Sequence, residues 1–148
     1  MKVKEGDRFP DFSVNDDEGN NVTLDAIKGK TTVIYFYPKD DTPGCTKEAC
    51  NFRDDLEKFK TCGVPIYGVS VDSLESHKKF KKKYNLDFPL LSDKEKKLVE
   101  ELGIKSIIGN AKRVTFVLDA DGKIIKIYPN VSPDKHSKEL VEFINGLS

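Results

Sequence analysis

The chain has 148 residues, of which 37% are apolar and 34% are charged, which is typical of one folded domain with a sizeable core. Lysine plus arginine and aspartate plus glutamate number 25 each, so the zero formal net charge gives no reason to expect a nucleic acid, a membrane surface or an acidic substrate as partner. No apolar run approaches the ~20 residues of a membrane span. We therefore expect a single domain over residues 1–148.

The cysteine content points to a reducing compartment. Three cysteines are an odd number and do not suggest a secreted disulfide scaffold. Residues 1–5 also lack the apolar stretch of a secretory signal. We expect a cytoplasmic protein.

The chain begins with a predicted β-hairpin. Residues 9–14 and 21–24 are short strand candidates on either side of a polar turn at residues 16–20. One helical turn over residues 25–28 then ends at Gly29. We expect the hairpin to lie at an edge of a sheet.

The stretch that follows places a cysteine at a special position. Residues 32–37 are β-branched and aromatic, which predicts a buried strand, and Pro38 ends this strand because it lacks a backbone N–H. Residues 39–44 have turn chemistry, and apolar side chains at helical spacing predict a helix over residues 43–60. Cys45 therefore lies in the first turn of a helix, where free N–H groups stabilise an anion and favour a thiolate.

The rest of the chain alternates strands and helices. We predict strands over residues 64–72, 88–92, 113–118 and 123–128, and helices over residues 75–84, 94–102 and 132–147. The alternation predicts a parallel core, and the Asp-Gly turn between the last two strands predicts a closing antiparallel hairpin. The predicted fold class is therefore α/β and thioredoxin-like, with a central mixed β-sheet flanked by helices and an N-terminal β-hairpin extension.

Cys45 and Cys50 lie on one predicted helix but cannot bond within it. Five residues along an ideal helix separate two Cα atoms by about 8.7 Å. A disulfide rarely tolerates more than about 7 Å. If these two cysteines bond during function, the turn between them must unwind.

Two readings of Cys45 remain open from the residues alone. In one, Cys45 is an activated thiolate nucleophile, with the Thr42 hydroxyl and the backbone N–H groups of Gly44 and Cys45 facing one spot. In the other, it is a buried structural cysteine and Thr42 caps the helix. The second cysteine favours the redox reading, because a structural cysteine needs no partner thiol.

Other chemistries find less support. Three thiols without a C-x2-C pair or a neighbouring histidine do not predict a metal site, and Cys62 is expected to be a small core residue. His77 and His136 lie on charged helical faces and are expected to be solvated, so a hydrolase triad is unsupported. Arg113 could reach the sulfur and hold an oxygen substrate, although the sequence alone favours a surface salt bridge.

Residues 36–50, which read FYPKDDTPGCTKEAC, carry a family resemblance together with Phe52, Arg53 and Asp54. They closely resemble the active-site signature of the peroxiredoxins, and most of all the branch called peroxiredoxin Q or bacterioferritin comigratory protein. Residues 6–7, 10–12, 68–72, 88–93 and 113–119 resemble further segments of the same family.

The resemblance implies a thiol-specific peroxidase that acts in antioxidant defence on hydrogen peroxide and organic hydroperoxides. Cys45 would be the peroxidatic cysteine, whose sulfenic acid Cys50 resolves as an intramolecular disulfide. A thioredoxin-like dithiol would then reduce that disulfide, and no metal, flavin or haem would be required. The resemblance also implies that Thr42 and Arg113 polarise the peroxide, that Pro38, Pro43 and Gly44 shape the pocket, and that the protein acts as a monomer.

Two other classes stay open beside the peroxidase. A disulfide oxidoreductase would act on protein thiols, but Cys-x4-Cys is not the Cys-x-x-Cys of such enzymes. A non-catalytic redox sensor would use the disulfide to switch a partner surface.

Overall fold

The computed structural model describes residues 1–147, so the last residue of the expected domain, Ser148, lies outside it. The strands are β1 Ser13–Asp16, β2 Asn21–Thr23, β3 Thr32–Phe36, β4 Ile66–Ser70, β5 Leu90–Ser92, β6 Val114–Leu118 and β7 Ile124–Tyr128. The helices are α1 Leu24–Ile27, α2 Pro43–Asp54, α3 Leu56–Thr61, α4 Leu74–Tyr84, α5 Lys97–Leu102 and α6 His136–Asn145.

All seven strands form one mixed sheet in the order β2-β1-β5-β4-β3-β6-β7. The three strands β5, β4 and β3 are parallel to one another. The β1–β2 hairpin lies at one edge of the sheet and the β6–β7 hairpin at the other, and both are antiparallel. This arrangement confirms the predicted thioredoxin-like fold class, with its parallel core and N-terminal hairpin.

β3 is an interior strand that lies between β4 and β6, and both of its faces are buried. Because side chains alternate across a strand, Tyr35 and Val33 pack on one face with α2, α3 and α6, while Ile34 and Phe36 pack on the other with α1 and α5. The Tyr35 ring lies 4.6 Å from the Phe52 ring of α2, measured between centroids. This contact fixes α2 against the sheet just beyond the carboxyl end of β3.

Several boundaries differ from those predicted. The helix expected over residues 43–60 is two helices, α2 and α3, separated at Asp55. α5 begins at Lys97 because the Asp93 carboxylate accepts from the backbone N–H groups of Leu98 and Val99, at 3.2 and 2.9 Å. The strand expected at residues 9–14 begins only at Ser13, since the Phe9 N–H donates to the Gly122 carbonyl instead.

Three side chains lie where the sequence analysis did not expect them. Cys62 is exposed rather than in the core, because it ends α3 on the outside of the molecule. His77 and His136 are fully buried rather than solvated. His136 Nε2 lies 2.7 Å from the Thr115 hydroxyl, and Nδ1 lies 3.0 Å from the Glu139 carboxylate. Both nitrogens of the buried ring therefore have hydrogen-bond partners.

The helices within residues 1–147 are all too short or too polar to cross a membrane. The longest of them, α2, has 12 residues, and a membrane span needs about 20.

Gly68 of β4 offers a test of the packing around Tyr35. A Cβ at this position would lie 2.9 Å from both the ζ carbon and the hydroxyl of Tyr35. We expect Gly68→Ala to lower the free energy of unfolding by about 1–3 kcal/mol, because the buried ring cannot move without disturbing its neighbours. Urea unfolding of the reduced protein measures the change.

The matched control is Gly146→Ala. Gly146 has ordinary helical angles, φ −73 and ψ −12, and a Cβ there would come no nearer than 3.4 Å to another atom. We expect this variant to stay within about 0.5 kcal/mol of the wild type. Equal stability of the two variants would contradict the packing argument.

Candidate active site

The loop from β3 to α2 brings Cys45 to the carboxyl edge of the sheet. Thr42 has extended backbone angles, φ −103 and ψ 155, and Pro43 occupies the first helical position, where a missing N–H costs no hydrogen bond. Cys45 follows in the first turn of α2 and is 1% exposed. The helix N-terminus therefore surrounds a buried thiol with unpaired backbone donors.

Arg113 reaches this thiol from the neighbouring strand. Val114 of β6 pairs with Phe36 of β3 in antiparallel register, so the residue before β6 lies beside the end of β3. The Arg113 guanidinium donates from Nη2 to Cys45 Sγ at 3.2 Å. The structure thus places Arg113 at the sulfur rather than in a surface salt bridge.

Gly44 leaves room for this approach. A Cβ at Gly44 would lie 3.2 Å from Nη2 of Arg113, which is tighter than ordinary contact between a carbon and a nitrogen. A larger residue would push the guanidinium away from Cys45. Gly44 therefore serves the site by the absence of a side chain.

Glu48 completes the site and was missed from the sequence. Its Oε1 accepts from Arg113 Nη1 at 2.7 Å, and the side chain is 1% exposed. Burial raises the pKa of Glu48 to about 7, although the Arg113 guanidinium pulls it down. The signal in the sequence was its spacing, since a residue three positions after Cys45 lies on the same face of a helix.

Arg113 remains a cation between these two groups. Burial lowers its pKa, but Glu48 and Cys45 outweigh that effect and the net shift is upward. The guanidinium has five N–H donors in a fixed plane. It can therefore hold the carboxyl group and a thiolate together and still present a donor to an oxygen atom nearby.

The remaining predicted residues belong to the loop between β3 and α2 and to the first turn of α2. The Thr42 hydroxyl donates to the Lys39 carbonyl at 2.9 Å and makes no cap bond to α2, so its oxygen keeps lone pairs for another donor. Pro38, Thr42 and Gly44 are half-buried and Pro43 is exposed.

Cys50 is half-buried and lies on the same unbroken helix as Cys45. Both thiols are free. Since α2 is continuous from Pro43 to Asp54, the helical separation calculated from the sequence applies. Cys50 cannot reach the Cys45 sulfur in this conformation.

Residues 133–137, which lead into α6, lie along one face of α2. Their contacts recur three or four residues apart, which is the spacing of one helical face. A Gly44 Cβ would lie 3.7 Å from Pro133 Cγ, Lys47 Nζ lies 2.9 Å from Asp134, Asn51 Nδ2 donates to the Pro133 carbonyl at 3.1 Å, and Ser137 Oγ donates to Asp55 Oδ2 at 2.8 Å. The 133–137 segment therefore holds α2 along most of its length.

A thioredoxin-like fold with a buried thiol at a helix N-terminus and an arginine on its sulfur defines a thiol-based redox enzyme. The model of the AhpC/TSA family matches residues 5–127, and peroxiredoxin Q of Sedum lineare, a chloroplastic protein, is 48% identical over 99% of this chain and 80% of its own length. The chain belongs to the AhpC/TSA family of peroxiredoxins. It is a thiol peroxidase that reduces hydroperoxides with electrons from a thiol reductant.

Two solved structures agree with this family membership. Peroxidoxin BcpB from Mycobacterium tuberculosis has a TM-score of 0.92 and 33% identity, with 99% of both chains covered. The bacterioferritin comigratory protein of Xanthomonas campestris, whose structures address its alkyl peroxide reduction activity, has a TM-score of 0.87 and 32% identity over 92% of this chain and 91% of its own.

The raised pKa of Glu48 predicts a pH dependence of stability. Between the ordinary value of 4.5 and the folded value of about 7, the unfolded chain releases this proton and the folded chain keeps it. The contribution of Glu48 to stability is therefore present at low pH and is lost as the pH rises through this window, by about 3 kcal/mol in all. Glu48→Gln removes this loss, so we expect the variant to gain stability relative to the wild type by about that amount between about pH 4 and pH 7.5.

Urea unfolding of the reduced proteins at several pH values measures this difference. Glu142 is exposed, so Glu142→Gln serves as the control and should follow the wild type at every pH. Parallel curves for wild type and Glu48→Gln would show that Glu48 does not hold a proton in the folded protein.

Proposed function

We propose that Cys45 is the peroxidatic cysteine of this thiol peroxidase and Cys50 its resolving cysteine. The observation that supports the first assignment is the 3.2 Å contact between Arg113 Nη2 and Cys45 Sγ. A guanidinium at this distance stabilises a thiolate over a thiol. Cys50 and Cys62 have no arginine at their sulfur among the hydrogen bonds of residues 1–147.

In the first step the Cys45 thiolate attacks the terminal oxygen of a hydroperoxide. The S–O bond forms as the O–O bond breaks, and the leaving oxygen takes a proton and departs as water or an alcohol. Arg113 holds the reacting oxygen atoms through its N–H groups, and the Thr42 hydroxyl oxygen accepts a hydrogen bond from the peroxide. Pro38, Pro43 and Gly44 shape the pocket. Alignment and charge stabilisation by fixed donors are the means of rate acceleration.

In the second step the Cys50 sulfur attacks the Cys45 sulfenic acid and releases water, which leaves a disulfide. This step requires the turn between the two cysteines to unwind. The contacts of the 133–137 segment with Lys47 and Asn51 must break at the same time. The residues on both sides of these contacts are exposed or half-buried, so water replaces the lost hydrogen bonds at small cost.

An external dithiol then reduces the disulfide. We propose a thioredoxin-like protein as this reductant, because two thiols can return both electrons in one encounter. Hydrogen peroxide and organic hydroperoxides both serve as substrates in the proposal, and the alkyl peroxide reduction of the Xanthomonas relative supports the second class.

We further propose that the chain works as one domain and as a monomer in the cytoplasm. The single sheet that joins all seven strands supports one domain. The odd number of cysteines and the cycle contained in one helix support a reducing compartment and a monomer.

Substitution of each cysteine by serine tests the assignment. We expect Cys45→Ser to lose peroxide consumption, because a serine hydroxyl is not ionised at neutral pH. Cys50→Ser should react once and stop as the sulfenic acid, so thioredoxin-supported turnover should collapse. Cys62→Ser should turn over as the wild type does, since its side chain lies at the surface.

Intact mass after one equivalent of peroxide gives the readout. We expect loss of two hydrogens in the wild type and in Cys62→Ser, gain of one oxygen in Cys50→Ser, and no rapid change in Cys45→Ser. If Cys62→Ser lost the disulfide and Cys50→Ser kept it, Cys62 would be the resolving residue.

Hydrogen exchange tests the unwinding of α2. The oxidised protein should exchange faster than the reduced protein in residues 45–54, because a helix that contains the disulfide cannot keep its backbone hydrogen bonds. Residues 114–118 of β6 serve as an internal control and should be equally protected in both states. Equal protection of residues 45–54 would show that the two sulfurs meet without unwinding.

A further inference from the structure

The loop that precedes Cys45 is held by a buried aspartate. The Asp40 carboxylate accepts from the Tyr37 hydroxyl at 2.6 Å through Oδ1, and from the Ser76 hydroxyl at 2.8 Å through Oδ2. Its backbone N–H donates to Asp72 Oδ2 at 2.8 Å. The Asp40 side chain is 3% exposed, so water contributes little to its solvation.

His77 of α4 is the charged partner of this carboxylate. Its Nδ1 lies 2.7 Å from Asp40 Oδ2, and its Nε2 lies 2.8 Å from the Leu91 carbonyl of β5. A carbonyl and a carboxylate can only accept hydrogen bonds, so both ring nitrogens must carry a proton to satisfy both. His77 is therefore an imidazolium, and with Asp40 it forms an ion pair inside the protein.

The groups around His77 favour this charge. Asp40 approaches from the loop after β3 and Asp72 from the segment after β4, while β5 presents the Leu91 carbonyl. Burial lowers the pKa of His77, but the hydrogen bond and charge of Asp40 outweigh it and the net shift is upward. Burial also raises the pKa of Tyr37, so its hydroxyl stays protonated as a donor.

The same group of side chains does not offer a vacant metal site. One ligand atom from each of Asp40, Asp72 and His77 lies within 4.8 Å of the others. However, Asp72 Oδ2 already accepts from the Asp40 N–H and the Ser70 hydroxyl, at 2.8 and 2.6 Å. Protons therefore occupy the space between these atoms.

The ion pair sits two residues before Thr42. Asp41 follows Asp40 with a left-handed φ of 55, a conformation that aspartate tolerates better than most residues other than glycine. The Thr42 hydroxyl then returns to the Lys39 carbonyl. The position of Thr42 and of the first turn of α2 thus depends on where Asp40 is anchored, and that anchor is on α4 rather than on α2.

We propose that Asp40 and His77 are positioning residues for peroxide reduction: their buried ion pair fixes residues 39–42 so that Thr42 and Cys45 face the peroxide together. This inference rests on the roles proposed above for Thr42 and Cys45. Because the anchor does not involve α2, the pair acts on the attack of Cys45 on peroxide and not on the later attack of Cys50.

The test measures the first step by itself. In a Cys50→Ser background, quenched mixing with hydrogen peroxide and intact mass give the rate at which Cys45 gains one oxygen. We expect His77→Gln and Asp40→Asn to slow this rate by about 10- to 100-fold, the usual effect of misplacing reacting groups by about 1 Å. With Cys50 present, the conversion of sulfenic acid to disulfide should keep its wild-type rate.

The matched control is Asp17→Asn. Asp17 is also buried and also pairs with α4, through Lys81 at 3.0 Å, but it lies far along the chain from residues 39–42. We expect its oxidation rate to stay within about twofold of the parent. An equal loss of rate in Asp17→Asn would mean that any damage to the α4 packing slows the reaction, and would overturn the proposal.

The pH profile separates the ion pair from a purely structural role. Because the folded pKa of His77 is raised, the pair is present at low pH and is lost as the pH rises through that value. The ratio of the parent rate to the His77→Gln rate should therefore be largest near pH 6 and shrink at alkaline pH. A ratio that does not change with pH would contradict the proposal.

Two further arms keep the result decisive. Ser76→Ala removes one hydrogen bond from Asp40 but leaves the Asp40 carboxylate paired with His77. We therefore expect this variant to fold, and to show a smaller loss of rate, even if His77→Gln does not fold. Incubation of the parent with EDTA should leave its rate unchanged, and a loss would show a bound metal instead of an ion pair.

If the Cys50→Ser parent gains no oxygen, the proposed function fails. If the parent reacts but the Asp40 and His77 variants match it, only this inference fails.

Discussion

The Arg113 guanidinium is the group on which the whole site depends. It joins two elements that are distant in sequence, because it precedes β6 and contacts both Cys45 and Glu48 of α2. Its charge is kept in a half-buried position, where water solvates a cation less well than at the surface. Glu48 offsets part of that loss, but its own burial raises its pKa to about 7. The site therefore presents one guanidinium to two groups of α2, the Glu48 carboxyl and the Cys45 sulfur.

This shared contact explains the surrounding architecture. Antiparallel pairing of β3 with β6 brings Arg113 to the carboxyl end of β3, and the ring contact of Phe52 with Tyr35 fixes α2 at the same place. Gly44 permits the guanidinium to approach the helix. A displacement of any of these elements by about 1 Å would separate Arg113 from Cys45, so the seven-stranded sheet serves as a rigid support for one contact of 3.2 Å.

Local patterns in the sequence predicted those features of the fold that depend on residues close together in the chain. The apolar run of β3 and the turn residues after it placed Cys45 at a helix N-terminus, and the alternation of elements gave the parallel core. Arg113 and Cys45 are 68 residues apart in the sequence. Their contact depends on the pairing of β3 with β6, which no local sequence pattern predicts. His77 was expected to be solvated because its helix is rich in lysine, whereas its burial follows from Asp40, 37 residues earlier. The error for Cys62 is the opposite one. We expected burial because free cysteines are usually buried, but Cys62 ends α3 on the outside of the molecule.

α2 has to meet two opposed requirements, and the structure separates them along the chain. In the proposed cycle the site needs a fixed helix N-terminus beside Arg113, while formation of a Cys45–Cys50 disulfide needs the turn between them to unwind. Before Cys45, the chain is anchored to α4 through buried groups, Asp40 and His77, which are costly to separate. After Cys45, it is held by the 133–137 segment through contacts such as that of Lys47 with Asp134, whose side chains are 57% and 62% exposed. Exposed ion pairs contribute about 0–1 kcal/mol, so this outer contact opposes unwinding only weakly, and the main resistance comes from the side chains that α2 buries in the core.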